Sequence, residues 1–312
     1  MPTPVTYSVS GPRITVNAMI KDPLLIRQRF LQMSDQQFIT DAILRNAGSA
    51  DAGVVQYFES TPLFTDDDVA VVGEGGEIPL TTGQDGVPKA AFTIKTARGI
   101  EITREMRDRN KVDTVNTRMT QVRNTIVRHW ERRLFNAMAA LVPSANVLDL
   151  TGSTATKNWI TGSAPTIRVN ILDAMALITE AKVPNQGTDA YLGFNPDTLI
   201  ISTRARYAMM KDATFGAVYS NSPLADRAPI YTGELERDVL GLRVLASRFL
   251  TDKNAYLVES KTVGGYADER PLQVSPLYPD NPREVWRADV VRRTAIFLDQ
   301  PFAIAQIKGI EP

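Results

Sequence analysis

Histidine, the residue most often used for acid–base and metal chemistry, occurs once in this chain, as His129. A Ser-His-Asp triad or a histidine metal cluster needs such a residue together with partners at defined spacing. No partner pattern surrounds His129, which falls inside a predicted long helix beside Trp130. We interpret it as a histidine on a helix surface or at a subunit interface. The sequence therefore predicts no catalytic residue, no metal site and no enzyme.

Two further segments have compositions that could bind ions. Asp66-Asp67-Asp68 could bind a hard cation, but the spaced oxygen ligands of a calcium loop are absent. Gly73-Glu74-Gly75-Gly76-Glu77 is as rich in glycine as a phosphate-binding loop, but it lacks the Lys-Ser/Thr pair, and its glutamates would repel phosphate. We interpret the first segment as a solvated charge run and the second as a flexible loop, and we expect no cofactor.

Bulk composition narrows the class of protein. The 312 residues suffice for one large or two medium domains. Basic and acidic residues both number 35, so no overall basic excess argues for sequence-specific nucleic-acid binding. The absence of cysteine removes disulfides, thiolate nucleophiles and cysteine metal sites, and it suits a reducing cytosol. We expect neither a secretory signal nor a membrane span, because the N-terminus has no basic-then-apolar pattern and no apolar run reaches about 18 residues.

The segment 54–103 is the most informative part of the chain. Strands are predicted at Val69–Val72 and Phe92–Thr96, and the glycines and prolines between them preclude a helix. Ordering such a long loop costs conformational entropy, and compact domains rarely keep one without a role. We therefore predict that residues 54–103 grip neighbouring copies of the same protein.

Elsewhere the apolar periodicity predicts helices and strands. Over residues 113–142 apolar side chains recur every three or four positions, which predicts a helix about 45 Å long that ends at Pro143. The other predicted elements are a strand over 5–20, helices from Asp22 and over 34–48, a helix over 165–182, a strand at 190–194, a helix over 198–210, and strands at 243–247, 255–259, 284–298 and 301–310.

Four segments in this order resemble the major capsid proteins of tailed bacteriophages, whose fold is named after phage Hong Kong 97. VGEGGEIPLTT (72–82) followed by KAAFTIKTARGIEITREM (89–106) is similar to the family's E-loop hairpin and its entry into the spine helix. DAMALITEAKVPNQGTDAYLGFNPDTLIIS (173–202) resembles the passage from the peripheral into the axial domain. GLRVLASRFLTDKNAYLVE (241–259) is similar to the axial strands, and REVWRADVVRRTAIFLDQPFAIAQIKGI (283–310) to the final strands.

The resemblance implies an α+β fold of the Hong Kong 97 type. Its parts would be an N-terminal arm (1–53), an extended E-loop hairpin (54–103), the long spine helix with the peripheral domain (104–189), an inserted axial domain (190–265) and the return strands of the peripheral domain (266–312). It also implies a major capsid protein whose pentamers and hexamers form an icosahedral head around the double-stranded DNA genome of a tailed phage. Assembly would take place in the host cytoplasm.

The implied partners are copies of the same chain, a portal, a decoration protein and packaged DNA, with no membrane. Many relatives carry an N-terminal scaffolding region that the segment before the loop here is too short to contain. We therefore expect a separate scaffolding protein, or assembly without one. The alternative function is that of an encapsulin-like compartment shell that encloses a cargo enzyme, since the subunit sequence hardly separates the two. A soluble enzyme of unknown type is a third and poorly supported alternative.

The resemblance assigns inter-subunit roles to the loop. The residues concerned are Gly73, Glu74, Gly75, Gly76, Glu77, Lys89 and Lys95. Some family members join subunits by a Lys–Asn isopeptide bond with a glutamate as catalyst. Asn254 and Asn281 are possible partners for the two lysines, but no reactive triad aligns. Because a lysine without a nearby proton acceptor stays protonated and is not nucleophilic, we expect no covalent cross-link.

Basic residues concentrate at the start of the long helix and along it. They are Arg98, Arg104, Arg107, Arg109, Lys111, Arg118, Arg123, Arg128, Arg132 and Arg133. They could face packaged DNA through salt-sensitive, sequence-blind phosphate contacts. They could instead pair with carboxylates between subunits through the planar guanidinium fork. Glu101, Glu105, Asp108 and Glu131 lie nearby, so we favour pairing.

Overall fold

The computed structural model describes residues 16, 20, 39–59, 69–80, 86–153, 157–162, 166–182, 191–212, 238–250 and 253–311. The chain divides into two compact units. Unit 1 comprises residues 1–37, 95–127 and 270–293, and unit 2 comprises residues 38–94, 128–269 and 294–312.

The described residues form both α-helices and β-strands. The helices are α1 (Ile39–Ile43), α2 (Arg104–Asp108), α3 (Val112–Leu141), α4 (Ile167–Thr179) and α5 (Thr203–Lys211). The strands are β1 (Arg45–Asn46), β2 (Val54–Glu59), β3 (Val87–Phe92), β4 (Ile94–Thr103), β5 (Val147–Asp149), β6 (Thr198–Ser202), β7 (Asp238–Val239), β8 (Leu242–Ser247), β9 (Ala255–Val258), β10 (Gly264–Val274), β11 (Tyr278–Asp280), β12 (Val285–Leu298) and β13 (Ile304–Lys308).

A six-stranded sheet in the order β5-β13-β9-β6-β8-β7 forms the centre of unit 2. Strand β6 lies parallel to β8 and antiparallel to β9, and all of its residues are buried. Helix α4 packs on β13 and β5 through residues spaced by three or four, among them Ile167, Ile171 and Ile178. A strand buried on both faces needs a continuous apolar run, which TLIIS supplies.

The predicted long helix is confirmed by α3, whose bounds differ from the predicted ones by one residue at each end. Its buried side chains follow the helical period, from Val115 and Met119 in unit 1 to Trp130, Leu134 and Met138 in unit 2. Pro143 follows its end, as expected from the missing amide hydrogen of proline.

The second large sheet has the order β1-β10-β12-β11, with β4 also paired to β12. Strand β10 passes so close to β12 that a Cβ atom on Gly264 would collide with the Phe297 carbonyl oxygen and lie 2.8 Å from the Leu298 Cα atom. Glycine is therefore required at that crossing. The predicted strand over 284–298 corresponds to β12, but most of β10 was not predicted.

Several sequence predictions are wrong in the central region. The predicted helix over 198–210 begins as strand β6, and the helix starts only after Ser202, whose hydroxyl accepts a hydrogen bond from the Ala205 amide at 3.0 Å. Burial between β8 and β9 overrides the local helical preference of this segment. The predicted strand at 190–194 is reduced, within the described residues, to one bridge between Tyr191 and Lys182.

Two predicted strands in the N-terminal third are also wrong. Val69–Val72 is not a strand, because no described segment pairs with it; the hairpin partner of β3 is β2. Of the predicted strand over 5–20, the structure describes only Val16 and Ile20, and both are helical. The predicted helix from Asp22 lies outside the described residues.

Candidate subunit-contact loop and charged helix

Strands β2 and β3 form an antiparallel hairpin, with Val54 opposite Phe92 and Glu59 opposite Val87. The hairpin is anchored through one face. Tyr57 stacks on Phe297 with ring centroids 5.0 Å apart. The guanidinium of Arg45 lies 5.7 Å from the centre of the same ring and forms an ion pair with Asp299. This aromatic and ionic contact fixes the base of the hairpin against the end of β12.

Lys89 also lies on this face, where it forms an ion pair with Glu59. The hydrogen bond to the Glu59 carboxylate raises the pKa of Lys89 above its ordinary value. Burial raises the pKa of the neighbouring Tyr57 hydroxyl. A lysine held in its protonated form has no lone pair for attack, so this environment opposes the isopeptide chemistry considered above.

The opposite face of the hairpin is apolar and turned to solvent. Phe58 is 49% exposed and Phe92 is 67% exposed, and the exposed Pro88 and Ala90 lie on the same side. Gln56 is the polar residue among the side chains of this face. A solvent-facing sheet surface normally carries polar residues, and exposed apolar patches mark interaction sites. This surface was not predicted from the sequence, although VVQYFE lacks the alternation of a half-buried strand.

The described part of the loop, residues 69–80, is exposed throughout. Most of its apolar side chains are largely accessible, with Val71 and Leu80 at 103% and 97% and Ile78 at 74%, whereas Val72 is 39% exposed. The amide of Gly76 donates to the Gly73 carbonyl at 2.9 Å, which closes a tight turn. Gly75 has a φ of +79°, a conformation that strains any other residue and that turns of this kind use glycine to reach. Glu74 lies in the turn and Glu77 follows it.

The remaining predicted loop residue, Lys95, lies at the exposed start of β4. Just before it, the Thr93 hydroxyl donates to the Glu269 carboxylate at 2.8 Å, and the Thr93 amide donates to the Gly53 carbonyl. The possible cross-link partners Asn254 and Asn281 lie before β9 and in a short 3₁₀ turn after β11. The Asp66-Asp67-Asp68 run lies outside the described residues.

Some of the clustered arginines pair within their own chain. Arg104 forms an ion pair with Glu284 at 3.1 Å. Arg118 donates to the Glu101 backbone carbonyl at 2.8 Å and approaches its carboxylate at 3.5 Å.

Arg107 and Arg123 have local partners. Arg107 contacts Asp108 at 2.8 Å, and its guanidinium lies 5.0 Å from the centre of the Trp286 ring. Arg123 donates to the Asn124 side-chain oxygen at 3.1 and 2.8 Å.

Arg128 and Arg132 differ from these four arginines. Both are exposed, and no ion pair or hydrogen bond joins either side chain to another residue in the described ranges. The adjacent Arg133 instead donates to the Thr294 carbonyl at 3.1 Å and lies over the Trp130 ring, and burial lowers its pKa. The predicted basic cluster therefore separates into arginines with partners and exposed cations without an ion pair or side-chain hydrogen bond in the described ranges. The second group also includes Arg98, Arg109 and Lys111, and within it Arg128 and Arg132 lie one helical turn apart.

Glu131, which the sequence offered as a partner for these arginines, is buried and accepts a hydrogen bond from the Ser247 hydroxyl. No described cation forms an ion pair with it, and burial raises its pKa above the ordinary glutamate range. This burial was not predicted, because Glu131 stands among four charged or polar neighbours in the sequence. The helical period places it beside Trp130 and Leu134 on the inner side.

His129 is exposed and lies edge-on to Trp130 with ring centroids 6.2 Å apart. Among the described residues, no three His, Cys, Asp or Glu side chains are grouped so that they could hold a metal ion. In the same part of the chain, no helix is long and apolar enough to cross a membrane.

Comparison with known proteins gives a consistent result. A family model described as phage capsid protein matches residues 87–307, which is more than half of the chain. No curated protein matches the sequence.

Solved structures are similar over most of their length. A phage-related protein from Bordetella bronchiseptica has a TM-score of 0.56 at 15% identity, covering 93% of this chain and 97% of its own. The capsid structure of cyanophage P-SCSP1u gives 0.61 at 11% identity, covering 85% of each chain. An encapsulin from Synechococcus elongatus PCC 7942 gives 0.55 at 9% identity, covering 90% of this chain and 89% of its own. The expected α+β fold of the Hong Kong 97 type is thereby confirmed.

Proposed function

The chain belongs to the phage capsid protein family, and on that premise we propose that it is the major capsid protein of a tailed phage. Its copies assemble into an icosahedral head around a double-stranded DNA genome. The family implies a structural role in a shell, not an enzymatic one.

The observation that carries the proposal is the apolar surface of the hairpin and loop. Phe58, Phe92, Val71, Ile78 and Leu80 are all exposed on a segment that is anchored at its base. A single folded chain has little reason to expose so many apolar side chains together. In a shell, neighbouring copies cover them, and the many weak contacts add up because the lattice closes.

The same proposal assigns roles to the parts of the chain. Residues 1–53 act as the N-terminal arm, 54–103 as the E-loop, 104–189 as spine helix and peripheral domain, 190–265 as axial domain, and 266–312 as return strands. The partners are other copies in pentamers and hexamers, a separate scaffolding protein, a portal, a decoration protein and packaged DNA. Assembly takes place in the host cytoplasm.

The test removes the apolar loop surface without shortening the chain. Replacing Val71, Ile78 and Leu80 by serine leaves the hairpin and its anchor intact, so the subunit is expected to fold as before. Negative-stain microscopy and gradient sedimentation are expected to show shells for the parent and free subunits or capsomers for the variant. Ala70→Ser in the same exposed loop is the matched control. Variant shells as numerous and as heat-resistant as those of the parent would contradict the proposal.

A second candidate is an encapsulin-like compartment shell, which the likeness to the Synechococcus elongatus encapsulin supports at the level of fold. The contents of purified particles distinguish the two functions. Nuclease-protected DNA favours the phage head, whereas a stoichiometric folded enzyme inside the particles favours the compartment.

A further inference from the structure

Charge is segregated along this neutral chain. Between Arg45 and Lys89 there are eight acidic residues and neither lysine nor arginine. Helix α3 carries no acidic residue between Asp113 and Glu131, and Glu131 is buried. That stretch of the sequence is therefore strongly negative, while the exposed side of the long helix is positive. Opposite charges separated in this way make two copies of one chain complementary to each other.

The described loop carries two of these acidic residues. Glu74 lies in the turn closed by Gly73 and Gly76, and Glu77 follows it. Both carboxylates are exposed, and neither forms an ion pair within the described ranges. Three residues of chain span at most about 10 Å, so the two carboxylates approach a partner together.

The two arginines are also close together. Arg128 and Arg132 are four residues apart on α3, which places them about 6 Å apart along one side of the helix. The exposed positions one turn before and one turn after them, Asn124 and Asn136, are uncharged. Arg104 and Arg118, by contrast, already hold carboxylates of their own chain.

We propose that Arg128 and Arg132 of one copy bind Glu74 and Glu77 in the loop of a second copy. The guanidinium fork suits carboxylates, and ion pairs at the rim of the apolar contact would set the register of the two chains. The contact is heterologous, since one surface binds a different surface of the next copy, and such contacts build closed rings and shells. The inference deepens the proposed function by naming the surface on which the loop docks.

A nucleic acid is the competing partner for the two arginines. If the two arginines mainly bound phosphate, we would expect the chain to carry an overall basic excess. Basic and acidic residues are instead equal in number. The equality follows naturally if the loop of one copy neutralises the helix of the next.

Charge reversal with rescue tests the pairing. R128E/R132E and E74R/E77R are made separately and then combined in one chain. Each double variant is expected to raise the threshold concentration for particle formation at least about tenfold, because like charges then face each other. The combined variant, which restores opposite charges in the reverse order, is expected to assemble within about threefold of the parent threshold.

The matched control places the same loop variant against another basic surface. Arg204 and Lys211 are exposed on α5, and R204E/K211E combined with E74R/E77R is expected to give no rescue. Circular dichroism and thermal unfolding of each soluble subunit show whether the chain is folded.

Two results would overturn the inference. They are normal assembly of either double variant and no recovery in the combined variant. If R128E/R132E particles assemble normally but fail to retain DNA, the two arginines bind nucleic acid. All of these leave the proposed shell function standing, whereas a parent chain that forms no particles would contradict the shell function itself.

Discussion

The apolar outer face of the hairpin gives a prediction with a calculable size. Replacing Phe58 and Phe92 by serine removes two rings that are 49% and 67% exposed in the isolated chain. Burying a whole phenylalanine side chain contributes about 1.5–3 kcal/mol, so the exposed fractions correspond to roughly 2–3.5 kcal/mol for each inter-subunit contact. At 1.4 kcal/mol for each factor of ten, the threshold concentration for assembly is expected to rise about 30- to 300-fold.

The comparison is between two variants of one contact, so the entropy of association is common to both and largely cancels. The assay is light scattering against subunit concentration, with the particles checked by gradient sedimentation. The subunit itself is expected to unfold at nearly the parent temperature, because both rings are already half or more in solvent. Gln56→Ala, on the same strand and face, is the matched control. An F58S/F92S threshold within threefold of the parent would refute the assignment of this face to an inter-subunit contact.

Two further predictions concern stability of the soluble subunit. Burial raises the pKa of Glu131, so its stabilising contribution is complete below the ordinary glutamate pKa and is lost as pH rises through the folded-state pKa, at up to about 1.4 kcal/mol per pH unit. The free energy of unfolding of Glu131→Gln, measured by denaturant titration, is therefore expected to be higher relative to the parent at pH 7.5 than at pH 4. The same difference between variant and parent at both pH values would contradict this. Gly264→Ala is expected to cost about 3 kcal/mol or more, since the new methyl group meets the backbone of β12, whereas Gly152→Ala, with open space around it, serves as the control. Equal denaturation midpoints for these two glycine variants would disprove the close approach.

The elements predicted correctly share a strong local period. The stripe that includes Val115, Trp130 and Met138 continues through the whole of α3, so the helix could be placed to within one residue at each end. Strand β12 likewise follows from its own composition. The wrong predictions lie where contacts with neighbouring strands determine the secondary structure. Thr198–Ser202 has the composition of either element, and it becomes a strand because β8 and β9 lie on both sides of it.

The candidate site was predictable in its location but not in its contacts. The glycine-rich loop and the basic helix can be recognised from the sequence alone. The anchoring of Tyr57 on Phe297 was not, because the two residues are far apart along the chain. The apolar outer face of the hairpin depends on the pairing of β2 with β3 across residues 60–86, and no local pattern fixes that register.

By itself the sequence determined the type of protein: an α+β capsid subunit with a long helix, an extended loop and no pattern of catalytic residues. The tertiary structure alone decided what each charge does. Arg104 is paired because Glu284, 180 positions away, is brought to it, and Glu131 is buried against Ser247, 116 positions away. Composition fixes which charges a chain carries, but their partners, and hence their pKa values and their availability to another copy, depend on contacts that only the folded chain creates.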